Sequence, residues 1–176
     1  MPNKRINISL VILIFISNII CFAQTDSTAS VSMTTIVKQQ ADSMGYYFVK
    51  NDFKNYLKFQ FPNLVKKLGG EESLMKTLNE NVTKKGIRAL NISTDAPSAL
   101  IISDSTLQCT LQQTSVMKYG SAKLEIISTL VCVSYDNGKK WFFINASGFT
   151  SDILKEILPE ISRDLMIQQQ TTRKLN

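Results

Sequence analysis

Residues 106–135 read TLQCTLQQTSVMKYGSAKLEIISTLVCVSY. This stretch decides the fold. It is rich in β-branched residues, carries no proline, and has one turn signal near Tyr119 and Gly120, so it predicts a strand from Thr106 to Met117 turning back into one from Ala122 to Tyr135. If Tyr119 faces Ala122, Cys109 faces Cys132. In the second strand Leu124, Ile126, Leu130 and Cys132 share one parity while Ile127, Val131, Val133 and Tyr135 share the other, so both faces of the sheet need cover. Helices supply one cover; the second must come from a C-terminal helix or another subunit, which makes a homodimer one of the expectations. Glu125 is the acid most deeply set in this apolar run, and alternation turns it to solvent beside Lys123.

Downstream, Asp136, Asn137 and Gly138 predict a tight primed turn leading into a strand over Lys140–Asn145, because Asn-Gly tolerates the positive φ such turns demand. Upstream, Ile87, Ala89 and Ile92, then Ala99–Ile102, have strand texture broken at Asp95, Ala96 and Pro97. Before Gly86 the texture is helical. Met33, Ile36, Val37, Ala41, Met44 and Phe48 lie on one stripe. Asp52 caps a run carrying Phe53, Tyr56, Leu57 and Phe61, Pro62 restarts the chain, and Gly69-Gly70 followed by Glu71 and Glu72 closes one helix and opens the next. Beyond Gly148, Ser151 or Asp152 caps a helix bearing Ile153, Ile157, Ile161 and Leu165, with a kink at Pro159. Residues 168–176 lack apolar content and read as a flexible C-terminal tail.

Helices first and antiparallel strands afterwards is an α+β order: N-terminal helices packed on a curved, mainly antiparallel sheet, with a C-terminal helix. The single domain is expected to span 24–167.

The first 23 residues have the pattern of a leader. Lys4 and Arg5 precede an apolar run from Leu10 to Ile20, and Cys21 and Ala23 are small enough for a signal-peptidase site cutting between Ala23 and Gln24. Ile20 is too bulky to favour lipoprotein anchoring through Cys21, and the run is short of the roughly 20 apolar residues of a membrane-spanning helix. The expectation is an exported chain, periplasmic or secreted. Loss of the leader lowers the formal net charge from +6 to +4. That balance is too mild to suggest nucleic acid as a partner, and the lysines at 50, 54 and 58 read as a solvated face.

With no histidine in the chain, Ser-His-Asp and Cys-His nucleophile systems and His-rich zinc sites are excluded. No catalytic residue, metal site or cofactor follows from the residues. Tyr47, Phe48 and Trp141 are candidates to line a ligand cavity, since aromatic rings offer large contact areas with polar handles. Cys109 and Cys132 form either a disulfide or a pair of reduced thiols packed as small hydrophobes.

The punctuation Asp52-Phe53, Pro62, Leu64-Val65, Gly69-Gly70 and Asn137-Gly138 before Trp141-Phe142 resembles that of exported bacterial members of the nuclear transport factor 2-like superfamily, also called ketosteroid-isomerase-like or cystatin-like. The resemblance covers roughly Ala41 to Gly148. It implies a cone-shaped cavity between helices and bent sheet, used among its members for ligand binding, isomerisation, dehydration or dimerisation. The buried carboxylate base of the isomerases has no matching position here. The leading expectation is a non-catalytic binding or interaction module for a small molecule or protein; the rivals are a small cavity enzyme using carboxylate and tyrosine proton transfer, and a structural homodimer.

Overall fold

The long hairpin sets the geometry of everything else. The structure, a computed structural model, describes residues 25–176, so the leader, the Ala23/Gln24 cut and Cys21 lie outside the described residues. In chain order the helices are α1 (Thr25–Val49), α2 (Phe53–Leu57), α3 (Pro62–Lys67) and α4 (Gly70–Thr83). The strands β1 (Ile87–Thr94), β2 (Ile101–Ser103), β3 (Thr106–Tyr119), β4 (Ala122–Ser134) and β5 (Phe142–Asn145) follow, then α5 (Ser151–Ile157) and β6 (Thr171–Leu175). This is the expected α+β class, with a curved, open antiparallel sheet.

β3 and β4 pair without a bulge from Leu107↔Ser134 to Tyr119↔Ala122, so Cys109 lies opposite Cys132. Each outer edge of this hairpin is shared by two shorter strands. β1 takes the far half of β3 and β2 the near half; β5 takes the near half of β4 and β6 the far half. Where consecutive edge strands leave a gap, single groups bridge it: Ser98 N–H donates to Thr110 O at 2.7 Å, and Thr129 N–H donates to Ser147 Oγ at 2.7 Å. The segment between α2 and α3 closes the outer edge of β5, with Phe143 N–H donating to Phe59 O and Phe61 N–H to Phe143 O.

Strict alternation along β4 and β5 sends side chains into two separate cores. On the inner face, Leu130, Cys132, Trp141 and Phe143 pack with Cys109 and Leu111 of β3 against Val37, Ala41 and Met44 of α1. Those three follow the i, i+4, i+7 spacing that gives a helix one buried stripe. On the outer face, Val131, Val133 and Ile144 pack against Phe61 and Leu64 from the start of α3, Leu154 and Ile157 of α5, and Leu158 and Leu165 beyond it. The second cover for this part of the sheet therefore comes from the chain itself, which removes the packing argument for a homodimer. Among the described residues no helix is long and apolar enough to cross a membrane.

Several boundaries differ from the sequence reading for identifiable reasons. α5 stops at Ile157, because the residue before Pro159 is disfavoured in helical conformation, and its cap is Thr150, whose side chain accepts from Ile153 N–H. The turn at Asn137-Gly138 has the expected positive φ, 57° and 84°, but pairing resumes only at Val133↔Phe142. It is a broad loop, organised by Ser134 Oγ accepting from Gly138 N–H at 2.9 Å and by the Asp136 carboxylate accepting from Lys140 N–H at 2.8 Å. That carboxylate is held below its usual pKa, chiefly by the Lys140 hydrogen bond.

The largest correction concerns 168–176. Thr171–Leu175 is not a loose tail but a strand on the free edge of β4, in register from Lys123↔Leu175 to Ile127↔Thr171. The compact unit of which it is part runs from Met33 to Asn176. β6 also changes the setting of Glu125. The carboxylate does point away from the face of Leu124 and Ile126, yet Arg173 lies opposite and pairs with it at 2.7 Å, leaving the Glu125 side chain 18% exposed.

Candidate functional site

Along the inner face of the hairpin the cross-strand pairs change character. Cys109/Cys132 and Leu111/Leu130 are apolar, Gln113 then faces Ser128, and Ser115 faces Ile126. The apolar pairs lie under the buried stripe of α1. Where the face turns polar, helix and sheet stop filling the space between them, and a cavity of about 210 Å³ opens. Its walls come from Met44, Gly45 and Phe48 of α1, Tyr56 and Gln60 of the α2 segment, Ile92 of β1, both hairpin strands, Phe143 and Asn145 of β5, and Gln170 just before β6.

Gly45 fixes one wall. Glycine inside a helix costs about 1 kcal/mol relative to alanine, and here it permits close approach to β1: a Cβ at this position would lie 2.8 Å from Ile92 Cγ2. Helix and strand meet tightly there.

Half of the lining residues are apolar and half are neutral polar; none carries a charge. Asn145 Nδ2 donates to Ser128 Oγ at 3.2 Å, and Gln60 Nε2 lies 3.2 Å from Met44 Sδ. Gln113 is only 8% exposed, and its side-chain amide makes no hydrogen bond to another described residue. Among the described residues, no side-chain nitrogen or oxygen sealed away from solvent lacks a partner, so the Gln113 amide keeps access to solvent, and Gln113 is one of the residues that line the cavity. The Tyr56 hydroxyl is likewise unpartnered in the described structure, and burial pushes its pKa up to about 12.

Of the aromatic candidates, Phe48 lines this cavity, edge-on to Tyr56 with ring centroids 4.9 Å apart. Tyr47 does not; it stacks on Phe59 at 6.1 Å. Trp141 does not either, being fully buried in the inner core with Nε1–H donating to Gly138 O at 3.0 Å. The sequence reading passed over Gln113, Ser115 and Ser128. Their signal was available, as polar residues on the parity that carries Leu111 and Leu130, but it became visible only once strand register had placed them side by side.

Cys109 and Cys132 face each other as fully buried free thiols, and the backbone explains why adjacency does not make a bridge. Phe143 spends its N–H on Phe59 O and its C=O on Phe61 N–H, turned away from Cys132, its partner on β4. Since both backbone groups of a strand residue point to the same side, Cys132 directs its own toward Cys109, and the two cysteines form a hydrogen-bonded pair. Such pairs sit at the wide end of the roughly 4.5–5.5 Å Cβ separations across antiparallel strands, beyond the approximately 3.5–4.5 Å a disulfide takes. Burial, followed by the neighbouring Cys109 thiol, raises the Cys132 pKa well above its ordinary value. Native protein treated with iodoacetamide, without reductant, is expected to remain unmodified at both positions, whereas denatured protein should be alkylated at both. Recovery of a bridged Cys109–Cys132 peptide from a non-reduced digest would contradict this.

Among the described residues no three cysteine, aspartate or glutamate side chains gather to hold a metal ion. No family model, no curated protein and no solved structure matches the chain.

Proposed function

We propose that the chain is an exported, non-catalytic binding module of the nuclear transport factor 2-like kind, holding a small molecule between α1 and the curved sheet. The observation that carries this reading is the lining: an uncharged, half-apolar cavity into which a buried amide, Gln113, presents unused hydrogen-bonding capacity. Ligand sites combine apolar walls with a few convergent polar groups in this way. Export is supported by the leader pattern of residues 1–23.

The lining also weighs against the rival enzyme. Proton transfer near neutral pH works best with a group whose pKa lies near 7. The titratable lining groups are the phenols of Tyr56 and Tyr119, and burial moves the Tyr56 phenol up to about 12, further from that range. Glu125 is outside the lining and engaged with Arg173. A structural homodimer would want a filled cavity and an outer core left for a second subunit, whereas here the cavity is open and α3 and α5 contribute to the outer core.

Native mass spectrometry of the purified chain tests the reading. The expected spectrum shows a small adduct that is lost on acid denaturation. A bare chain, with no adduct in any gently ionised charge state, would count against it.

A further inference from the structure

We infer that the cavity selects an uncharged ligand with an apolar body and one amide-like hydrogen-bonding edge, gripped by Gln113; this rests on the binding reading. A charged ligand would surrender its hydration on entry and find no counter-charge in the lining to make up for it. A wholly apolar ligand fails differently. It would displace water from the Gln113 amide and the Tyr56 hydroxyl without replacing those hydrogen bonds, leaving each group stranded.

What remains is a neutral molecule whose polar edge both donates and accepts. A glutamine side chain offers a carbonyl acceptor and an NH₂ donor side by side, which complements another carboxamide, lactam or urea-like edge. Ser128 Oγ already accepts from Asn145 Nδ2 and keeps its own O–H for donation next to Gln113. The apolar body would lie against Met44 and Phe48 on the facing helix and Phe143 along the sheet. Size narrows the class further: about 210 Å³ falls below the roughly 300–1,000 Å³ of drug-sized pockets, so a single ring with a short polar arm fits the scale.

Phenylacetamide, phenylacetate and phenethylamine test this as three probes of nearly one size and shape but different charge, titrated against the purified chain by ligand-observed NMR. Phenylacetamide is expected to bind the chain about tenfold or more tightly than either charged probe, because neither charge finds a partner in the lining. Gln113→Leu should weaken phenylacetamide binding about tenfold at an unchanged circular dichroism spectrum, while the still uncharged lining goes on disfavouring both charged probes. Gln113→Glu should shift the preference toward phenethylamine, so the inference stays testable if the leucine variant fails to fold. Binding of phenylacetate or phenethylamine within about threefold of the amide would overturn the ligand class and leave the binding module standing. Failure of all three to bind would overturn the ligand class, and the binding reading would fall with it only if the native spectrum also shows a bare chain.

Discussion

Replacing Trp141 by alanine is expected to cost the domain about 3–5 kcal/mol, the range for truncating a buried Trp or Phe. Trp141 is fully buried at the point where α1, the 134–141 loop and the inner sheet face meet. Its indole N–H donates to Gly138 O, its backbone N–H donates to Gln40 Oε1 at 2.9 Å, and Gln40 Nε2 donates to Lys139 O at 2.8 Å. One glutamine on α1 thus grips the loop on both sides of Lys140. Truncation would open a void lined by Cys132 and Phe143 and strand the Gly138 carbonyl. Gly138 has little freedom to adjust, since its φ is +84° and a Cβ there would lie 3.3 Å from Met33 Cγ. At about 2–4 °C per kcal/mol for a chain of this size, the melting temperature followed by far-ultraviolet circular dichroism should fall by roughly 6–20 °C. Trp141→Phe, which keeps most of the volume and loses only the N–H, should fall by much less. A Trp141→Ala protein melting within about 2 °C of the parent would mean that the inner core is not organised around this side chain.

Trp141 also shows where sequence stops being informative. Its aromatic character was legible, but whether a large ring fills a core or lines a cavity depends on what faces it across the sheet. By contrast, the existence and register of the β3–β4 hairpin were legible once Tyr119 was set opposite Ala122, because alternation carries that register to Cys109 and Cys132, although β3 runs on to Tyr119 and β4 ends at Ser134. The consequence of their adjacency could not be read. It depends on which side the backbone groups face, and that is set by Phe143 bonding to Phe59 and Phe61, residues more than 80 positions upstream. Asp52, Pro62 and Gly69-Gly70 were legible as helix boundaries because capping and φ restriction are local. β6 was not, since Thr171–Leu175 becomes a strand only by completing the free edge of β4, with Arg173 meeting Glu125. The cavity was hidden for a related reason: Gln113, Ser115 and Ser128 are ordinary strand residues until pairing puts them on one polar patch beyond the buried stripe of α1.

Gln108→Leu should be the most damaging conservative change on the outer face, costing about 2–4 kcal/mol, because it strands backbone groups instead of opening space. Gln108 is fully buried. Its Nε2 donates to Thr106 Oγ1 at 2.8 Å and to Glu160 O at 2.7 Å, while its Oε1 accepts from Ser162 N–H at 2.9 Å. With Ser103 Oγ on the same Glu160 carbonyl at 3.0 Å and the Tyr135 hydroxyl on the Glu160 carboxylate, these bonds stitch the segment after α5 across the sheet. Leu165, on that segment, is part of the core that includes Val131 and Val133. Leucine leaves the Ser162 N–H without a partner, and Glu160 O keeps only Ser103. The expected results are a lower urea midpoint by Trp141 fluorescence and faster tryptic cleavage at Arg163, with the inner core still folded. Gln108→Glu separates this account from a simple packing defect. Buried against the Glu160 carbonyl, its carboxyl should have a raised pKa and favour the protonated form, which can donate as the amide does. Stability relative to the parent should then be best retained below the ordinary glutamate range and lost as pH rises through the raised pKa. A Gln108→Glu variant whose deficit does not change with pH, or a Gln108→Leu variant within about 0.5 kcal/mol of the parent, would show that the segment after α5 is held by its apolar contacts alone.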